Sequence, residues 1–259
     1  SSSDKIFFQA LINGNIELIK KDDLYKGTSS LIIDDLRANN NSLGTANLEI
    51  NASNDLKSFV MSFDIIEDSQ KTLGLEGNFS IEEDFYPLDM KLNMRNFAIM
   101  PFSKIGDNVI TNFDGLFNSD ISISGNSNTP NFTGEIRTNG VEFLIPYLNV
   151  KYELSNNPVF KLTNQSFEIN DFNLYNSKTN TIGSLNGIIT HNKFKNWLLD
   201  LSIDTKNLMI LDTDSKNDPA YFGKGFLNGY ATIFGPGKNL LIDLKGSTNK
   251  GTFLTIPIK

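Results

Sequence analysis

The segment Leu88-Asp-Met90-Lys-Leu92-Asn-Met94 alternates apolar and polar side chains without a break. A period of two places successive side chains on opposite faces of a β-strand. The same alternation recurs in residues 121–123, 199–203, 240–244 and 254–258, with turn dipeptides of the Asn-Gly type between such runs. Convincing helical periodicity is scarce. The sequence therefore predicts an all-β protein with almost no helix, and a spacing of about 12 residues per strand and turn predicts about twenty strands.

The chain also repeats itself. Matching glycine, asparagine and proline positions recur at an offset of roughly 110 residues. The pairs are Gly77 with Gly187, Asn96 with Asn207, Gly125 with Gly235, Gly140 with Gly251, and Pro146 with Pro257. Copies of one strand module favour an elongated sheet over a compact domain built around an active site.

No Pro- or Ser-rich linker divides the chain, so we expect residues 1–259 to form one continuous elongated β domain. Within it we distinguish leading strands (1–62), a first repeat module (63–147), a connector (148–171) and a second repeat module (172–259).

Composition excludes several functions. A net charge of −7 disfavours nucleic-acid binding, which needs clustered cations. The chain contains no cysteine, which excludes disulfides, thiolate nucleophiles and cysteine-bound zinc. Its one histidine, His191, is expected in a turn or on the surface, and it leaves acid–base catalysis without a partner imidazole. The acidic stretch from Asp212 to Asp218 has calcium-loop spacing at its first two positions, but Lys216 occupies the third ligand position. We expect no enzyme activity, no cofactor and no metal site.

Three segments near the end of the chain resemble the TamB family, the translocation and assembly module proteins of the AsmA-like superfamily. They are residues 220–236, 240–246 and 251–257, and residues 85–96 and 115–146 are similar to repeats of the same family. The resemblance implies a curved, U-shaped sheet, taco-like in section, with a hydrophobic interior groove. The abundance of Asn, Ile, Phe and Lys suggests an AT-rich bacterial genome, and the fragment is identified as a C-terminal region of bacteroidete type.

The resemblance further implies a place in the envelope of Gram-negative bacteria. Family members lie in the periplasm, anchored to the inner membrane by an N-terminal helix, and reach the outer membrane. There they meet a barrel protein of the BamA or TamA type, and they are thought to conduct phospholipids. The implied partners are therefore phospholipid acyl chains and that barrel, with no nucleic acid. We expect membrane association of this protein through such an N-terminal anchor, which is missing from this sequence.

The apolar members of the alternating runs are the candidate groove residues. They are Leu88, Met90, Leu92, Met94, Ile121, Ile123, Leu199, Leu201, Ile203, Leu240, Ile242 and Leu244. Alternation alone also fits the core of a sandwich or barrel. A single elongated sheet, however, offers no second layer of its own, so its apolar face is expected to meet something apolar from outside the chain.

We therefore predict a segment of an envelope-spanning lipid-transfer bridge that shields phospholipid acyl chains between inner and outer membranes. The alternative is a scaffold or chaperone that assists the insertion of outer-membrane β-barrel proteins, together with a BamA-type partner, by strand addition at an exposed edge. An outer-membrane barrel is a third possibility, disfavoured because aromatic girdles are not evident.

Overall fold

Turn residues divide the chain into long strands. The computed structural model describes residues 6–81, 87–103, 109–192, 195–216, 222–237 and 239–257. The strands are β1 (Phe8–Lys21), β2 (Leu24–Ala38), β3 (Asn41–Ala52), β4 (Ser58–Glu67), β5 (Gln70–Ser80), β6 (Pro87–Ala98), β7 (Thr111–Asn126), β8 (Thr129–Ile145), β9 (Val150–Ser155), β10 (Val159–Asn164), β11 (Ser166–Asn176), β12 (Thr181–Asn192), β13 (Lys195–Thr213), β14 (Phe222–Pro236), β15 (Leu241–Thr248) and β16 (Phe253–Thr255). One 3-10 turn, Met100–Phe102, follows β6. The all-β prediction is confirmed.

The sixteen strands found in the described residues belong to one antiparallel sheet, and nearly every strand pairs with the next along the chain. The order is β1 to β8, then β10 to β15; β9 pairs with β8 and β11, and β16 pairs with β14. β9 and β10 therefore form one interrupted strand beside β8. At about 4.7 Å per strand, the path from β1 to β15 measures about 60 Å. The predicted connector, residues 148–171, contributes β9, β10 and the start of β11 to this sheet.

The expectation of about twenty strands was too high, because the strands are longer than the assumed spacing allows. β13 alone spans 19 residues. The part of the chain that the structure describes contains no helix long and apolar enough to cross a membrane. The end of the acidic stretch at 212–218 and the first residues of the segments at 85–96 and 220–236 lie outside the described residues.

β-Bulges bend several strands. The strand register shifts within Ile33–Leu36, Met94–Phe97 and Ile169–Phe172. The third residue of each segment has a positive φ: 50° at Asp35, 48° at Asn96 and 56° at Asp171. Asp and Asn tolerate this left-handed conformation better than other non-glycine residues. A bulge bends its strand and increases the local twist, so the repeated bulges curve the sheet.

Two glycines that the repeat pairs have the same geometry in the sheet. Gly77 (φ +149°) and Gly187 (φ +138°) adopt conformations that other residues rarely adopt. A Cβ atom would lie 2.1 Å from the carbonyl oxygen of Asp89 at the first position and 2.1 Å from that of Asp200 at the second. Only glycine permits the neighbouring strand to approach this closely.

Candidate functional site

A continuous row of apolar residues crosses the sheet. Because directly opposed residues of neighbouring strands project to the same face, the register defines the row without ambiguity. From β2 to β14 its members are Leu31, Leu48, Phe63, Leu75, Leu92, Ile121, Gly134, Leu162, Phe167, Ile189, Leu199 and Gly235. We call the surface that carries this row the apolar face.

The opposite surface is polar along the same path from β2 to β12. The neighbouring row contains Ser30, Glu49, Ser62, Glu76, Lys91, Ser122, Thr133, Thr163, Ser166 and Thr190. Ion pairs such as Arg95 with Asp120, at 2.7 Å, also lie at exposed positions. Exposed pairs of this kind contribute little to stability, and they indicate that the polar face is the one in contact with water.

Most of the predicted groove residues lie on the apolar face. Met90 opposes Ile123, and Leu92 opposes Ile121, which joins the β6 and β7 residues into one patch. Leu199 opposes Ile189 and Ile203 opposes Leu185, which places the β13 residues on the same face. Their side chains are buried or half-buried; Met90 is 6% exposed.

The last three predicted groove residues differ from the others. Ile242 opposes Ile233 and Leu244 opposes Ala231, so both share the apolar face. They are nevertheless 49% and 55% exposed, because β15 is the last strand along the sheet path and is exposed at every position. Leu240 precedes β15 and is half-buried. Whether any of the twelve residues contacts lipid stays a prediction.

The two long rims of the sheet differ in burial. We call the rim with the turns at residues 22–23, 53–57, 127–128 and 165 the first rim. The second rim has the turns at residues 39–40, 68–69, 146–149 and 177–180. Side chains near the second rim are almost fully buried; they include Val141, Val150, Phe172, Leu208 and Met209. The sequence predicted an apolar face uncovered by the chain itself, and at the second rim that expectation is wrong.

Aromatic side chains near the first rim remain partly accessible. Phe59 and Phe79 stack there with their ring centroids 5.0 Å apart. Farther along, the ring of His191 lies 4.9 Å from Trp197 and 5.5 Å from Phe167. Aromatic rings suit an apolar surface that meets water.

His191 is part of this aromatic cluster rather than a plain turn or surface residue. Burial lowers the pKa of its imidazole. The period of two in Ile189-Thr190-His191 already places His191 on the face of Ile189, and this is the signal that could have identified the cluster. The neighbouring Trp197 and Phe167 come from other strands, so their proximity was not evident from the local pattern.

The charged residues do not form a metal site in the described part of the chain. No group of three His, Cys, Asp or Glu side chains there converges on a common point. Asp212, the first residue of the calcium-like spacing, instead forms ion pairs with Lys178 and Lys224.

Residues 172–259 match the family model of the TamB C-terminal domain. Comparisons with curated proteins and with solved structures gave no significant match. The matched range begins within β11 and includes β12 to β16, so it contains Leu199 and Leu201 of the apolar face. Residues 172–259 thus match the TamB C-terminal domain, which supports a TamB-type fragment.

Proposed function

We propose that the apolar face binds phospholipid acyl chains and that the protein is a segment of a lipid-transfer bridge between the inner and outer membranes. The TamB domain indicates a role in the cell envelope, in a family devoted to transport and assembly rather than to catalysis. We further propose that the protein lies in the periplasm of a Gram-negative, bacteroidete-type cell. There it is anchored to the inner membrane and meets a BamA- or TamA-type barrel at the outer membrane.

The observation that carries this proposal is the uninterrupted apolar row from Leu31 in β2 to Leu199 in β13. A site for one small ligand needs a local pocket, whereas a row that crosses so many strands suits a long, flexible hydrocarbon. The acyl chain can then move between equivalent positions along the row without leaving an apolar environment.

Shielding the acyl chain from water lowers the free energy of its transfer considerably. Exposing an acyl chain of about sixteen carbons to water costs about 0.8 kcal/mol for each methylene, or about 13 kcal/mol. At about 1.4 kcal/mol per factor of ten, a continuous apolar surface removes a barrier of about nine orders of magnitude in rate. Headgroups need no specific contact if they remain in water at the accessible rim.

The test compares two double variants in neighbouring positions. Met90→Asp with Leu92→Asp places two carboxylates on the apolar face, whereas Asn93→Asp with Ser122→Asp adds the same charge to the polar face. We expect the first variant to lose most of the co-purifying phospholipid in native mass spectrometry and the second to retain it, with β-type circular dichroism in both. Equal lipid occupancy in the two folded variants would contradict the proposal.

A second function, scaffolding of outer-membrane barrel precursors, is favoured by the exposed strand at one end of the sheet. β15 carries Leu241 at 63% exposure and Leu244 at 55%. An exposed strand of this kind can accept a further strand through its backbone groups. Photo-crosslinkers at positions 241–248 would then capture barrel strands in preference to phospholipid, whereas lipid crosslinks from positions 90–94 favour the transfer bridge.

A further inference from the structure

We propose that Asn39 and Asn149 are equivalent clasps, one in each half of the chain, that fold the second rim over and hold it closed. The Nδ2 of Asn39 donates a hydrogen bond to the carbonyl oxygen of Pro101 at 3.0 Å. The Nδ2 of Asn149 donates one to the carbonyl oxygen of Asp212 at 2.6 Å. Each bond closes a loop of almost the same length, with separations of 62 and 63 residues.

The two bonds also obey the internal repeat. Asn149 follows Asn39, and Asp212 follows Pro101, at the same offset of roughly 110 residues that relates Gly77 to Gly187. Both asparagines have the left-handed conformation, with φ of 50° and 51°. Both stand at a turn of the second rim.

Each clasp joins parts of the sheet that are not neighbours. Asn39 lies between β2 and β3, and Pro101 follows β6, so the hairpin of β4 and β5 stands between them. On a flat sheet, the three steps from β3 to β6 would separate the partners by about 14 Å. Asn149 and Asp212 are separated in the same way by the hairpin of β11 and β12. A hydrogen bond across that gap requires the rim to fold over the hairpin.

Buried contacts support each clasp. At the second, the hydroxyl of Tyr152 donates to the carbonyl oxygen of Met209 at 2.7 Å, and the amide of Asp212 donates to the carbonyl oxygen of Leu148 at 2.9 Å. At the first, Phe102 packs against the buried cluster that contains Leu36 and Leu43 of β2 and β3. Pro101 and Met209 are buried. The clasps therefore account for the asymmetry of the two rims.

This device goes beyond the proposed function, because it determines which long side of the apolar face is shut, whatever ligand the face binds. Hydrogen exchange of the lipid-free protein tests it, so the result does not depend on lipid binding. Asn149→Gly and Asn39→Gly keep the positive φ and remove the donor. Asn164→Gly and Asn40→Gly are the controls, because these asparagines also have positive φ, at 55° and 70°, and their side chains make no hydrogen bond within the described residues.

Loss of the bond in Asn149→Gly should speed exchange in residues 208–213 about five- to tenfold and leave residues 99–102 unchanged. Asn39→Gly should produce the reverse pattern, and the controls should match the parent protein. Exchange in both glycine variants that equals the controls would overturn the proposal, as would a change that spreads evenly over the sheet. If Asn149→Gly does not fold, Asn149→Asp, which also lacks the donor and tolerates positive φ, is held to the same outcomes.

Discussion

Replacing Gly187 with alanine is expected to destabilise the sheet strongly, and Gly77→Ala should do so by a similar amount. At Gly187 the added Cβ would lie 2.1 Å from the carbonyl oxygen of Asp200 and 2.9 Å from the Cα of Leu201. At Gly77 the corresponding distances are 2.1 Å to the Asp89 oxygen and 2.6 Å to the Met90 Cα. The obstructing atoms belong to backbone, so the neighbouring strand itself would have to move.

Two costs add up. A non-glycine residue at such a φ costs about 1–3 kcal/mol, and forcing additional atoms into a packed site costs about 1–3 kcal/mol. We expect each variant to lose about 3 kcal/mol of unfolding free energy. Gly140→Ala is the control: its φ is +62°, but nothing lies within 4 Å of the added Cβ. It should therefore lose only the conformational part, about 1–2 kcal/mol.

Urea denaturation followed by circular dichroism measures these differences through the shift in transition midpoint. Comparable losses at Gly77 and Gly187, both larger than at Gly140, would support the equivalence of the two positions. If all three variants lost the same amount, close backbone approach would not be the reason for these glycines. A large loss at only one of the paired positions would argue against their equivalence.

Three further predictions concern the two rims. Tyr152→Phe should lower the free energy of unfolding by about 1–3 kcal/mol, measured by urea denaturation, because it leaves the buried Met209 carbonyl without its donor; a loss below about 0.3 kcal/mol would contradict this. The single tryptophan, Trp197, should be quenched by phospholipids brominated on their acyl chains. A Trp197→Phe variant with Ser122→Trp on the polar face should not be quenched. Since burial lowers the pKa of His191 below its usual 6.5, the unfolded chain takes up the proton first as pH falls. Stability should therefore decline from about pH 6.5 down to the lowered pKa and stay unaffected by this residue above that range, a dependence that His191→Gln should abolish.

The two-faced character of the sheet could be predicted because it depends on local alternation. Alternation in the run from Leu88 to Met94 determines which of its side chains share a face. The register then aligns these side chains with Ile121 and Ile123. Paired glycines such as Gly77 and Gly187 were also evident, because a glycine required by close backbone approach stays fixed in each copy of the repeat.

Other features could not be predicted from period two. The bulge at Met94–Phe97 inserts one residue and returns Phe97 to the apolar face. Alternation alone therefore predicts that the strand ends before Phe97, which is too early. The pattern of two polar residues, the second Asp or Asn, between apolar ones is the signal for such bulges. The closure of the second rim depends on a bond between Asn39 and Pro101, which are 62 residues apart, and no local periodicity encodes it.

The direction of the backbone hydrogen bonds has a mechanical consequence. The bonds between strands point along the length of the sheet, so a pulling force between β1 and β15 would stretch the ladders directly. Hairpins loaded this way unzip bond by bond, at lower force than strands sheared along their own axis. A polypeptide under tension between two anchoring points would therefore lengthen one hairpin at a time. The hydrogen bonds of Asn39 and Asn149, each of which spans a two-stranded hairpin, would bear part of the force.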